Sequence, residues 1–348
     1  VIRIKYGDKK YLCKYDLHIE LFEKLGVDII DLYPTRSVYV LTTKTGKKIL
    51  KLIDYEEEKV LFINKVLNSI RKKFNNVLNI NELKDGELVL RFQNERYILL
   101  DLIEGIECNL ANPIDLEITS KALAKLHVSS RDFCSNEITK NEEIEYSNLF
   151  KKPFYFNNAK KDLIKMKAQV ESCVYKNEFD KLFLRDIDYY KKEILECMRL
   201  IENSKYSELC LKEEAVSVCH NDLAYHNIII SNNEAYFIDF DYLSIDLKVW
   251  DLANFINKTV KRFGFDIDMC KSIIQNYNLE NPISKEELEN LYIFLKFPHD
   301  FYIASRDYYF KLKDWEEDVF INRFTTKIGY KEERENFLKC FKNEYLDK

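Results

Sequence analysis

The sequence predicts an α+β fold in two parts, a smaller strand-rich one followed by a larger, mainly helical one. Three observations carry that reading. With 348 residues the chain is long enough for two lobes with a substantial core. Up to about Ile103 it alternates apolar and polar positions in strand fashion between turn residues. Most of the remainder carries apolar residues at helical spacing, with Pro282 and Pro298 as breakers.

In the first part, residues 1–15 are expected to form an opening strand or arm, and 18–25 a helix closed by Gly26. Residues 28–32, 38–41 and 48–53 then read as three short strands, separated by 33–37 and by Lys44-Thr45-Gly46. Lys51 lies between Leu50 and Leu52 and so points away from both. Lys47 and Lys48 read as solvated turn charges. Residues 55–72 read as a helix, with Val60, Ile63, Leu67 and Ile70 spaced 3, 4 and 3. Its first turn holds Glu56, Glu57 and Glu58, which suit the helix dipole. A hairpin of 87–92 and 96–103 around Gln93-Asn94-Glu95 follows.

In the second part, 114–129 is a predicted helix ending Ala122-Leu123-Ala124-Lys125-Leu126-His127, with His127 closing it against the core. Residues 131–156 are polar, aromatic and irregular. Residues 158–203 read as long helical material, with Ile187, Tyr190, Ile194, Met198 and Ile201 spaced 3, 4, 4 and 3. Helices are also expected over 249–262, 267–277, 285–297 and 301–311, and charged amphipathic ones over 316–345. There is no internal repeat.

The net charge of -5 argues against a nucleic-acid binder, since contact with a phosphate backbone leaves a basic footprint. No apolar run is long enough to span a bilayer, and the first residues lack the basic-then-apolar pattern of a signal peptide. Nine cysteines stand singly, with no C-x-x-C spacing. An odd count of that kind fits reduced thiols and synthesis in the cytoplasm better than a disulfide frame or a zinc site. Glycine numbers only 7, with none between Gly105 and Gly264.

That glycine-free interval contains the most informative stretch, residues 218–255. Two apolar strand-like runs flank the turn Asn232-Asn233-Glu234. Asp222 follows the first apolar stub, Asn227 comes five residues later, and Asp239 ends the run 235–238. The pattern is His-x-Asp-x-x-x-x-Asn, then Asp-Phe. Phosphoryl transfer from ATP needs one carboxylate to orient the accepting hydroxyl, then a carboxamide and a second carboxylate to hold magnesium on the phosphates. Magnesium keeps most of its waters, so one Asn and one Asp are enough. The plainer reading is a β-hairpin with acidic ends and Asp251 as a helix cap. The order and spacing of all these residues together favour the first.

His220-Asn221-Asp222 with Asn227, then Ile238-Asp239-Phe240-Asp241-Tyr242, then Trp250-Asp251-Leu252-Ala253 resembles the aminoglycoside phosphotransferase and choline kinase superfamily. Within it the chain looks most like the bacterial spore-coat CotS-like family, whose late Phe-Pro segment and paired tyrosines are matched by residues 296–302 and by Tyr308-Tyr309. The resemblance covers nearly the whole chain, but only the central motif is chemically specific.

The resemblance implies a protein-kinase-like two-lobed fold, with a small lobe over 1–103 and a large lobe over 104–348. A helical insertion over about 131–212 would frame the acceptor pocket, or would be a packed helical hairpin with no ligand role. Lys51 is implied to meet the nucleotide phosphates, with Ser37 or Thr35 beside them in the glycine-free loop, and Glu57 is chosen from Glu56, Glu57 and Glu58 to pair with Lys51. Backbone groups of Asp101 and Ile103 would bond adenine. Asp222 would be the catalytic carboxylate, Asn227 and Asp239 the magnesium ligands, and His220 and Asp251 supports of the loop.

Asn221 stands where protein kinases have arginine, Ala224 where they have lysine and Asp241 where they have glycine. No long activation loop follows Asp239, so a small-molecule acceptor is expected rather than a protein. The expected activity is therefore ATP- and Mg²⁺-dependent phosphorylation of an alcohol group on a small molecule by a spore-coat protein, with other coat proteins as further partners. The alternative is a catalytically idle coat protein that keeps the scaffold. Residues 297–309 are expected to wall the acceptor pocket, with Phe301, Tyr302, Tyr308 and Tyr309 suiting a sugar-like or amine-bearing compound. Core packing of these aromatics is the equal alternative.

Overall fold

A computed structural model describes residues 3–4, 17–36 and 38–347. The expected opening arm, apart from 3–4, therefore lies outside the described residues, as does Ser37. The chain divides into two compact units, one running to Asn109 and including Tyr225–Asp241, the other Leu110–Ala224 with Tyr242–Lys348. The division falls a few residues later than the expected break at 103/104 and assigns the hairpin of the central motif to the first unit.

The first unit is built on a six-stranded antiparallel sheet. Its strands run Ile29–Thr35, Val38–Thr43, Gly46–Ile53, Glu95–Asp101 and Ile80–Asn81 in spatial order, with Leu90–Phe92 also on Glu95–Asp101. Period-two alternation buries Leu50 and leaves its neighbour Lys51 partly accessible, opposite Ile98 in register. Tyr39, Leu41, Leu50, Tyr97 and Leu99 pack with Leu17, Leu21 and Leu25 into one core cluster. The helix Glu57–Arg71 buries Val60, Ile63, Leu67 and Ile70, the stripe expected from their spacing.

Two of the hairpin turns in this unit use side chains where glycine is common. Gln93 and Asn94, and again Asn232 and Asn233, carry positive φ at two successive positions, as a tight two-residue turn requires. The second turn joins Ile228–Ser231 to Glu234–Phe237. Phe237 is tied through its N–H to Asn76 O (2.9 Å) and through its carbonyl to Leu78 N (3.1 Å). Ile229 and Ile230 pair with Glu107 and Ile106. These ties explain why Tyr225–Asp241 belongs with the sheet rather than with the helices that flank it in sequence.

The second unit is mainly helical. Pro113–Ser129 is followed by the expected irregular stretch, which the structure corrects: Lys140–Tyr146 is a helix with a full capping box between Thr139 and Glu142. The long helical region is two helices, Lys152–Ser172 and Glu178–Asn203, the second capped by Asn177 and Asp180. Val216–Cys219 and Ser244–Leu247 pair antiparallel, and Lys248–Val260 leaves the second of them directly. Ile267–Asn278, Lys285–Lys296, His299–Tyr309, Glu317–Ile328 and Lys331–Tyr345 complete the unit. Among the described residues the cysteines are free, and no helix is long and apolar enough to cross a membrane.

Candidate functional site

In the first unit Lys51 projects from Gly46–Ile53 onto two carboxylates. Its Nζ lies 2.6 Å from Asp239 and 2.7 Å from Asp241. Burial disfavours its charge, but the charges of Asp241 and Asp239 outweigh that and hold its pKa above the ordinary lysine value. Asp241 also accepts the Tyr55 hydroxyl at 2.9 Å. Asp239 has φ 68, a left-handed backbone that aspartate tolerates better than most residues and that concentrates at functional positions. Asn227 is buried at the end of the short turn Tyr225–Asn227, and its carbonyl accepts Ile238 N–H at 3.0 Å. Asn227 and the two aspartates are thereby brought close along the backbone at the end of the hairpin. Hard oxygen donors in that small number fit a magnesium ion that retains waters.

In the second unit Asp222 sits in the loop after Val216–Cys219, and its carboxylate pairs with Lys258 of Lys248–Val260. The loop is held from beneath by Asp251. That fully buried carboxylate accepts the N–H groups of His220 and Asn221, both at 2.8 Å, and His127 Nε2 at 3.2 Å. Desolvation alone would raise the Asp251 pKa, but the hydrogen bond from His127 leads the set that lowers it. Burial lowers the His127 pKa and keeps the ring neutral, so Nε2 donates to Asp251 while Nδ1 accepts the Tyr277 hydroxyl at 2.7 Å. His220, also fully buried, accepts Asp222 N–H on Nδ1 at 3.2 Å. His127, Cys219 and Asp251 lie close enough to suggest a metal cluster. His127 and Asp251 already serve these hydrogen bonds and Cys219 Sγ donates to Leu247 O at 3.5 Å, so the group reads as a brace.

Asn221 adopts φ 65 and uses its whole side chain: Nδ2 donates to Tyr242 O and Ser244 Oγ, and Oδ1 accepts Trp250 Nε1. The position where protein kinases carry arginine is here a tether that fixes the loop to its neighbours.

Asp222 opens onto a cavity of about 510 Å³ within the second unit. Its wall includes Tyr190, Trp250, Phe294, Phe297 and Phe301 as apolar faces, with Lys258, Lys261, Lys327 and Asp300 among its charged groups. Of the aromatics expected there, Phe301 lines it. Tyr308 and Tyr309 instead line a separate cavity of about 490 Å³, and Tyr302, lining neither, donates its hydroxyl to Asp162 at 2.8 Å.

One expected pairing is not formed. Glu57 is held by Arg91 at 2.6 and 2.5 Å, and Glu56 pairs with Arg96. Glu56 and Glu57 thus meet arginines of the neighbouring hairpin, while Lys51 is occupied by Asp239 and Asp241. Asp101 is bound by Lys48 and by Asn79 at 2.7 Å, which together outweigh its burial and lower its pKa. Asp101 N–H is bonded to Asn79 O and Leu102 N–H to Lys47 O, which alternate along the strand. Sequence reasoning missed Asp241, Tyr55 and Lys258. Asp241 stood inside the quoted motif, two residues after Asp239; Lys258 had no signal, because it reaches Asp222 from 36 residues away.

The strand-rich unit with its lysine and aspartates, and the helical unit with its braced aspartate loop, define a protein-kinase-like α+β fold. A crystal structure of an aminoglycoside phosphotransferase from Alicyclobacillus acidocaldarius is similar with a TM-score of 0.78 at 16% identity, covering 94% of this chain and 96% of that one. A spectinomycin phosphotransferase crystallised with ADP and spectinomycin is similar with a TM-score of 0.62 at 15% identity, covering 92% of each. The chain belongs to the spore-coat family described as "Spore coat putative kinase YutH", whose model matches residues 14–341. It is 23% identical over 309 residues to Spore coat protein S of Bacillus subtilis (strain 168), covering 87% of this chain and 86% of that protein.

Proposed function

We propose that this protein is an ATP- and magnesium-dependent phosphotransferase that acts on an alcohol group of a small molecule and resides in the spore coat. The observation that carries the reading is Lys51 held by Asp239 and Asp241 beside Asn227, a set of charges with the chemistry to receive a metal nucleotide. Bound magnesium supplies neutralisation of the phosphate charge, and Asn227 and Asp239, with Asp241 as a further donor, are the residues that would hold it. The spectinomycin enzyme crystallised with ADP and the spore-coat relative support the nucleotide and the location.

In this reading Lys51 exchanges a carboxylate for phosphate oxygens when nucleotide enters, and Asp101 C=O with Ile103 N–H offers adenine an acceptor and a donor. Ser37 or Thr35 is proposed to contact the phosphates. Asp222 orients the acceptor hydroxyl and takes its proton as the oxygen bonds to the γ-phosphorus; the bond from that phosphorus to the bridging oxygen breaks and its electron pair leaves with ADP. Lys258 holds the Asp222 carboxylate in place. His220 and Asp251 keep the loop fixed, so little reorganisation is needed at the moment of transfer.

The idle-scaffold alternative draws on the Glu57–Arg91 pair, which leaves Lys51 without the helix glutamate of active kinases. Isothermal titration of Mg-ATP into the wild type and Asp239→Asn separates the two. Metal-dependent binding by the wild type, lost in the variant, is expected. Binding of equal strength in both would place the metal elsewhere and remove the proposed site.

A further inference from the structure

The cavity beside Asp222 has an unusual balance of charge for a pocket with so many aromatic walls. Setting aside Arg334, whose guanidinium is committed to Glu193 at 3.1 Å, its charged lining is three lysines and two aspartates. Lys258 is matched by Asp222. Lys261 and Lys327 share one partner, Asp300, at 3.1 and 3.3 Å. These two ammonium groups come from different elements, the turn Lys261–Phe263 and the helix Glu317–Ile328, and meet over the first turn of His299–Tyr309.

An entering ammonium group would find only two carboxylates in that wall, each already holding lysine. A carboxylate or phosphate would find two lysines with a single carboxylate between them, inside apolar walls that focus the field. Asp300 registers that field: burial works to raise its pKa, yet Lys261 and Lys327 draw it down to about 2.

Building on the phosphotransferase reading, we propose that the acceptor is a hydroxyl compound bearing a carboxylate or phosphate, with its anionic group on Lys261 and Lys327 and its hydroxyl toward Asp222. Transfer joins that hydroxyl oxygen to the γ-phosphorus of a nucleoside triphosphate, sends the proton to Asp222 and releases the diphosphate. Of the two acceptor chemistries suited to the aromatic wall, the sugar-like one is retained in acidic form and the amine is excluded.

The test is equilibrium binding to the full chain, by ligand-observed NMR, of D-gluconate and glycerol 3-phosphate against D-glucosamine and choline. Saturable binding of at least one anion, with neither amine bound more tightly, is expected; which anion binds better separates a carboxylate from a phosphate ligand. Lys261→Gln with Lys327→Gln should weaken that binding by about tenfold or more, about 1.4 kcal/mol. Asp300→Asn removes the competing carboxylate and should tighten it, an opposite effect that a misfolded variant cannot produce. The proposal is overturned if an amine binds more tightly than both anions, if neither anion saturates the protein at millimolar concentration, or if Asp300→Asn leaves anion affinity unchanged or weaker. Mg-ATP titration of the same variants keeps this result apart from the kinase reading: metal-nucleotide binding should be unchanged in all of them, and its absence from the wild type would sink that reading alone.

Discussion

At the residue scale Asp222 and Asp239 are proposed to have separable duties, because Asp239 is bound to Lys51 whereas Asp222 is bound to Lys258 and faces a cavity. Asp222→Ala is expected to reduce phosphoryl transfer by about 10²-fold to 10⁴-fold, while Mg-ATP affinity stays within a few-fold. A variant that still turns over ATP normally with acceptor present would show that another group takes the proton. The brace beneath the loop carries a pH dependence of definite sign. The folded state resists protonation of His127, whereas the unfolded chain takes up that proton near 6.5, so stability is fully present above that pH and falls as the solution is acidified. Asp251, also lowered, adds a second loss below about 3.8. Urea unfolding between pH 7 and pH 5, in roughly half-unit steps, should show the first decline, and His127→Gln should flatten it.

At the scale of elements, Gly105 is needed for close approach. A Cβ there would sit 2.5 Å from the Ile230 carbonyl oxygen and 2.7 Å from Ile229 Cγ2, against the strand of the motif hairpin. Backbone cannot yield as a flexible side chain can. Gly105→Ala should therefore destabilise the protein by about 1–3 kcal/mol, read from the midpoint of chemical unfolding; a change under a few tenths would mean that the strands separate without cost. The capping box at Thr139 and Glu142 shows why one element was overlooked in the sequence. Its Thr-x-x-Glu signal was present, but the helix it opens buries none of its residues, so no apolar stripe announced it.

At the scale of the whole molecule, the first unit takes in a segment, Tyr225–Asp241, whose neighbours in sequence belong to the second. Lys51, Asn227, Asp239 and Asp241 all lie in that first unit, and nucleotide binding should stabilise it preferentially. A ligand present at about 100 times its Kd that binds only the native state adds about 2.7 kcal/mol. Raised melting temperature with Mg-ATP, together with slower amide exchange in Gly46–Ile53 and Glu234–Phe237, is the expected result. Protection confined to the helices of the second unit would contradict it.

Local pattern in the chain was enough for the strands of the main sheet other than Ile80–Asn81, the stripe of the first long helix, a turn at Asn232-Asn233-Glu234 and the identity of the motif residues. These follow from period, turn chemistry and spacing, which are local properties of a chain. Packing in three dimensions set the partners of the charged groups. Glu57 and Lys51 are close in sequence and compatible in charge, yet Arg91 takes the glutamate and the hairpin aspartates take the lysine. Lys258 reaches Asp222, and Lys327 joins Lys261 on Asp300, across long stretches of chain. A salt bridge depends on a few ångströms of separation and carries no periodicity along the sequence, so its partner is set by packing and not by any pattern that a linear reading can detect.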